Sequence, residues 1–142
     1  MAADPQAATN TAIARRFFTA WIGGDPAAFD EVLAPDYVFH DPADPDVPAG
    51  PAGAQAMAAG FRAAFADLRP VEEDYIAAGD KVVYRWRVRA IHRGAFAGVP
   101  PTGRAVEFSG IEIVRLAGGR IVEHWDEIDA LGLLRQLGAG PA

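Results

Sequence analysis

The feature that most constrains this chain is the alternation running from Lys81 to Arg93. Val82, Tyr84, Trp86, Val88, Ala90 and His92 fall on one side, while Lys81, Arg85, Arg87, Arg89 and Arg93 fall on the other. Side chains on a strand point alternately to opposite faces, so this segment is a long strand with one apolar face turned to a core. The arginines are then a solvated outer face and not a nucleic-acid footprint, which would need a clustered basic surface.

The same grammar continues on either side. Val71 to Ala77 reads as a strand closed onto the first by a tight Gly79-Asp80 turn. Gly94 to Gly103, containing Pro100-Pro101-Thr102-Gly103, is a linker. Arg104 to Leu116 is a second long strand, Gly118-Gly119 turns the chain, and Arg120 to Ile128 is the last strand. Ala130 to Leu137 forms a closing helix.

Upstream the period changes to that of helices. Ile13, Phe17, Phe18 and Trp21 recur at helical spacing over residues 9–22, and Gly23-Gly24 ends that helix. Asp25-Pro26 opens a short second helix that buries Phe29, Val32 and Leu33. Pro35 breaks the pattern, Tyr37-Val38-Phe39-His40 is a short strand, and residues 42–53 are a loop. Residues 52–67 form a third helix with Met57, Phe61, Phe65 and Leu68 on one stripe. Helices followed by a run of antiparallel strands is the α+β pattern. We expect a cone-shaped α+β barrel in which a curved antiparallel sheet wraps over the N-terminal helices and encloses a mostly apolar pocket.

Length and charge narrow the function classes. The 142 residues make one domain, with residues 1–8 expected to be disordered. There is no cysteine, so neither disulfides nor thiolate metal sites are available. The net charge of -6 argues against nucleic acid. No apolar run is long enough to span a bilayer and no leader is evident, so a cytoplasmic protein without membrane contact is expected.

Periodicity does not orient the last strand. Val122, His124, Asp126 and Ile128 alternate with Ile121, Glu123, Trp125 and Glu127, and neither set is wholly apolar. The strand before it divides into Phe108, Gly110, Glu112 and Val114 against Glu107, Ser109, Ile111 and Ile113. Three motifs help: Gly98-Val99-Pro100-Pro101-Thr102-Gly103-Arg104, Gly119-Arg120-Ile121-Val122-Glu123-His124-Trp125-Asp126, and Leu133-Leu134-Arg135-Gln136-Leu137-Gly138. With Ala34-Pro35-Asp36-Tyr37-Val38, they resemble the SnoaL-like polyketide cyclase family of the nuclear transport factor two-like superfold. The resemblance implies that His124 and Asp126 face the pocket, with Asp126 as general acid/base. It also places Gly110, Glu112 and His92 along the pocket and His40 at its wall. Where the family's cyclases carry polar side chains, including a histidine, this chain has Gly110 and Glu112.

Residue chemistry adds detail. Burial in an apolar pocket, and a neighbouring Glu112, would raise the Asp126 pKa toward the range of a general base at neutral pH. The alternative is a structural pair with His124. His124 itself could hold the Asp126 carboxylate, donate to a developing enolate oxygen, or be a satisfied core histidine. Glu112 could be a second acid, a substrate contact, or the ionic partner of an inward arginine such as Arg62. His40, His92 and His124 with Asp41, Glu112 and Asp126 could supply metal ligands, but the resemblance implies no metal and no cofactor. Phe17, Trp21, Phe61, Phe65, Tyr84 and Trp86 read mainly as core, with Trp86 foremost for stacking on a flat ligand. No phosphate loop appears, and Ser109 has no context for a nucleophile.

The expected function is therefore a cofactor-independent acid/base enzyme acting on a small, hydrophobic, possibly polycyclic carbonyl compound, as in intramolecular aldol cyclisation. An isomerase, an epoxide hydrolase or a metabolite-binding protein on the same scaffold are the rivals. An outer face carrying Ile111, Ile113, Ile121 and Trp125 would expose several hundred Å² of apolar surface (an order-of-magnitude figure), predicting a homodimer built sheet to sheet with Trp125 near its centre.

Overall fold

The structure, a computed structural model, describes residues 4–141. Helix α1 (Pro5–Gly23) starts where the Asp4 side chain accepts the Gln6 N–H and Pro5 takes the first turn. Of residues 1–8, for which disorder was expected, Pro5–Ala8 form the first turn of α1, and residues 1–3 lie outside the described residues. Gly24, at φ 78°, ends α1 in the left-handed conformation. Asp25 and Pro26 open α2 (Pro26–Val32) in the same way. The chain then runs through β1 (Leu33–His40), α3 (Pro51–Ala64), β2 (Phe65–Ala78), β3 (Lys81–His92), β4 (Ala105–Ala117), β5 (Arg120–Ile128) and α4 (Ala130–Gln136).

The fold is α+β, with a five-stranded sheet in the order β1-β5-β4-β3-β2. Its sheet is not wholly antiparallel: β1 lies parallel to β5, with Phe39 opposite His124 and His40 opposite Trp125. The long excursion between these strands makes a parallel pairing possible. Pro35 does not stop β1, because it sits in the irregular stretch of an edge strand, where a missing N–H is tolerated. The third helix ends at Ala64, and Phe65 and Leu68 belong to β2. Pairing with β3 overrides the helical spacing there, with bulges between Ala66 and Arg69 and between Pro70 and Glu72.

A bulge also settles the last strand. Arg115 faces Glu123 but Leu116 faces Ile121, so Val122 is an extra residue that shifts the phase. Ile121 consequently turns into the core and is fully buried, correcting the outer position expected for it. Beyond the bulge His124, Asp126 and Ile128 share the inner face with Val114, Glu112 and Gly110, their cross-strand partners. Gly118 and Gly119, both at positive φ, form the turn that joins β4 to β5. Between the sheet's inner face and the helices lie Phe17, Phe29, Tyr37, Val82, Val88, Ile121 and Leu133, all fully buried or nearly so. The Gln136 amide clamps α4 onto the β4 backbone, accepting from the Glu107 N–H at 2.9 Å and donating to its carbonyl at 2.7 Å.

Candidate active site

The inner face leaves a cavity of about 650 Å³ beneath the helices. Phe17 and Trp21 from α1, Phe61 from α3, Phe39 from β1, Trp86 from β3 and Phe96 from the following loop supply most of its aromatic wall. The polar side is made of carboxylates: Glu112, Asp126, Asp41 and Glu127. Among the described residues no Lys, Arg or His lines it.

Glu112 and Asp126 are direct cross-strand partners, and Tyr84 is the partner of Glu112 on its other side. They form a row across the inner face. Asp126 is half-buried, and its pKa rises from 3.8 to about 8. Burial is the largest cause, followed by the negative charges of Glu112, Asp41 and Glu127. At neutral pH such a carboxyl can hold a proton or give it up.

Beneath this row lies a closed hydrogen-bond chain. Trp86 Nε1–H donates to Glu112 Oε2 at 2.6 Å. Glu112 Oε1 lies 2.5 Å from His124 Nε2, and His124 Nδ1 lies 2.7 Å from the Tyr37 hydroxyl. Burial and the charges of Glu112 and Asp126 push the Tyr37 pKa up, so its hydroxyl keeps its hydrogen. Nδ1 is the hydroxyl's hydrogen-bond partner. Tyr37 therefore donates to Nδ1, and Nε2–H donates to Glu112. The imidazole is held flat against Phe39, with ring centroids 4.3 Å apart, and meets the edge of Phe17. Gly110 makes room for the indole: a Cβ there would come within 2.5 Å of Trp86 Cζ2.

The sequence model of the SnoaL-like polyketide cyclase family matches residues 11–137. The chain belongs to that family. It is 31% identical over 110 residues to nogalonic acid methyl ester cyclase of Streptomyces nogalater, covering 77% of this chain and 82% of that one. It is 32% identical over 109 residues to aklanonic acid methyl ester cyclase DnrD of Streptomyces peucetius, covering 76% of this chain and 72% of that one. The solved structure of TsrD from Streptomyces laurentii superposes with a TM-score of 0.84 at 33% identity, over 97% of this chain and 99% of that one.

In this SnoaL-like fold, Asp126, Glu112, Trp86, Tyr84, Phe17, Trp21 and Phe61 meet at the cavity, whereas other expected site residues do not. His124 lies behind Glu112, off the cavity wall, with its two nitrogens engaged by Glu112 and Tyr37 and not by the Asp126 carboxylate. His40 points to the outer face, 2.8 Å from Glu123 and stacked on Trp125. His92 is sealed at the end of β3, where its Nδ1 accepts from the Thr102 N–H at 3.1 Å. Gly110 acts under Trp86 and not as a wall. Phe65 is buried core, and Arg62 donates to the Trp21 carbonyl, away from Glu112. Among the described residues no three His, Asp or Glu side chains are grouped to hold a metal ion, and no helix is long and apolar enough to cross a membrane.

Tyr37 and Phe39 were missed, and Asp41 was considered only as a metal ligand. The alternation in Tyr37-Val38-Phe39-His40 held the signal: two aromatics on one parity face the core, and His40 on the other cannot.

Proposed function

We propose that the protein closes a ring in a polyketide-type ester by intramolecular aldol addition, with Asp126 as general acid/base. The observation that carries this reading is the Asp126 carboxyl, held to about 8 at the wall of an aromatic cavity. The ionised carboxylate takes a proton from the carbon alpha to a carbonyl. The enolate carbon then bonds to a second carbonyl of the same molecule, whose oxygen takes the proton back from Asp126. Atoms and charge balance without an oxidant or co-reactant. The aromatic wall would fold the chain and exclude water, an orientation effect worth several kcal/mol, on the order of 7 in favourable cases.

The four wall carboxylates without a cation favour a neutral ester over a free acid, because an anionic substrate would be repelled. They also disfavour epoxide opening assisted by an inward arginine. The names of the two curated relatives point the same way, since both are methyl ester cyclases. The test is incubation with nogalonic acid methyl ester and aklanonic acid methyl ester, followed by mass spectrometry and product NMR. A product of unchanged mass with a new ring is expected. Gain of water, or an ester bound and returned intact, would replace the cyclase reading with a hydrolase or a binding protein.

We also infer a homodimer packed through the outer sheet face. Ile76, Val83, Ile113, Trp125 and His40 are successive cross-strand partners, an outer row crossing all five strands and apolar save for the stacked histidine. Ile111, 50% exposed, and Val38, 41% exposed, widen it. The flanking arginines are already matched within the chain, Arg85 and Arg87 with Glu72 and Arg89 with Glu107, which suits contact with an identical surface.

A further inference from the structure

We propose that Glu112 is a positioning residue and not a second acid: a fixed negative charge, locked by Trp86, His124 and Tyr37, that keeps the transferable proton on Asp126. This rests on the reading of Asp126 as the acid/base group, and it adds a task for the residue across the strand from it.

An indole N–H can only donate, so Glu112 Oε2 accepts. The Tyr37 hydroxyl is fully buried with His124 Nδ1 as its partner, so Nδ1 accepts and the imidazole's one hydrogen sits on Nε2, aimed at Glu112 Oε1. Each oxygen of Glu112 thus receives a donor, and a proton on either one would displace a hydrogen bond. With the imidazole neutral, the cluster carries a net charge of minus one, and that charge lies on Glu112. Hydrogen bonds to a charged acceptor are among the strong ones.

Position supplies the rest. Glu112 is the direct cross-strand partner of Asp126 on the inner face. The other charges that act on Asp126 are Asp41, from the loop after β1, and Glu127 on β5 itself. The α1, α3 and α4 residues that line the cavity are uncharged, among them Trp21, Phe61 and Leu134. Of the neighbouring carboxylates, only Glu112 is buried. Gly110 belongs to the same device, since a larger residue would push the indole off Glu112. Two carboxylates side by side on an inner face would otherwise share one proton between them. The lock removes that ambiguity.

The experiment is a site-resolved titration of side-chain carboxyl carbons by NMR on the full chain, from about pH 5 to about pH 9. Asp126→Asn and Glu112→Gln provide the assignments. In the wild type, the Asp126 signal should move through one transition while the Glu112 signal shows no transition of its own. In Glu112→Gln the Asp126 midpoint should fall by about one pH unit or more. A Glu112 signal that titrates in place of Asp126 would overturn the proposal even if the variant fails to fold, and so would an unmoved Asp126 midpoint in a folded Glu112→Gln. No substrate enters the measurement, so its outcome is independent of whether an ester is cyclised.

Discussion

Replacing Asp126 with asparagine should stabilise the fold at alkaline pH and leave it almost unchanged in acid. The folded protein holds the Asp126 proton up to about pH 8, whereas the unfolded chain releases it near the ordinary value of 3.8. Between these limits the folded state carries one more proton than the unfolded state, so this group's contribution to stability falls as pH rises. It is fully favourable below the lower value and fully lost above the higher one. At ~1.4 kcal/mol per pH unit the ceiling is roughly 5–6 kcal/mol. Asp126 is only half-buried at a cavity wall, and solvent screening brings the expected effect to about 2–3 kcal/mol. Asparagine keeps the shape of the protonated acid and cannot ionise. Urea unfolding of both proteins across a pH series gives the difference directly. It should be close to zero below about pH 4 and climb to its plateau above about pH 8. A difference that is constant with pH, or that declines as pH rises, would refute the placement of Asp126 in a desolvated, negatively charged wall.

Other substitutions test separate parts of the account. Trp125→Glu, in the middle of the outer row, should shift the protein to a monomer in sedimentation; a wild-type monomer at micromolar concentration would remove the assembly reading. Gly110→Ala should cost about 1–3 kcal/mol in urea unfolding by driving the Trp86 ring out of place, and a neutral result would contradict the packing. Tyr37→Phe leaves His124 Nδ1 buried without a donor and should cost about 1–3 kcal/mol in the same assay.

Much of the architecture was legible because period two is unambiguous when one face is wholly apolar, as in β3. The β5 strand was not readable in this way. Its phase changes at the Val122 bulge, so Ile121 and His124 face the same side although their spacing says otherwise. The start of α1 was available in principle, since Asp4-Pro5 repeats the Asp25-Pro26 signal that marked α2. Phe65 and Leu68 followed helical spacing, and only pairing with β3 assigns them to a strand. At the site, the composition of the cavity followed from which residues are aromatic and which strands alternate. What His124 touches did not, because its partner Tyr37 comes from a strand eighty-seven residues earlier. His40 and His92 were assigned to the pocket by resemblance, and the local parity of β1 and the depth of the β3 end place them elsewhere.

The most direct test of the central claim is single-turnover kinetics of Asp126→Asn with nogalonic acid methyl ester and aklanonic acid methyl ester. Circular dichroism and ligand-induced quenching of Trp21 and Trp86 fluorescence would verify that fold and binding persist. If Asp126 moves the proton, the chemical step should slow by on the order of 10²–10⁴-fold with little change in ester affinity. A folded variant that binds the ester and still closes the ring at close to the wild-type rate would contradict the account.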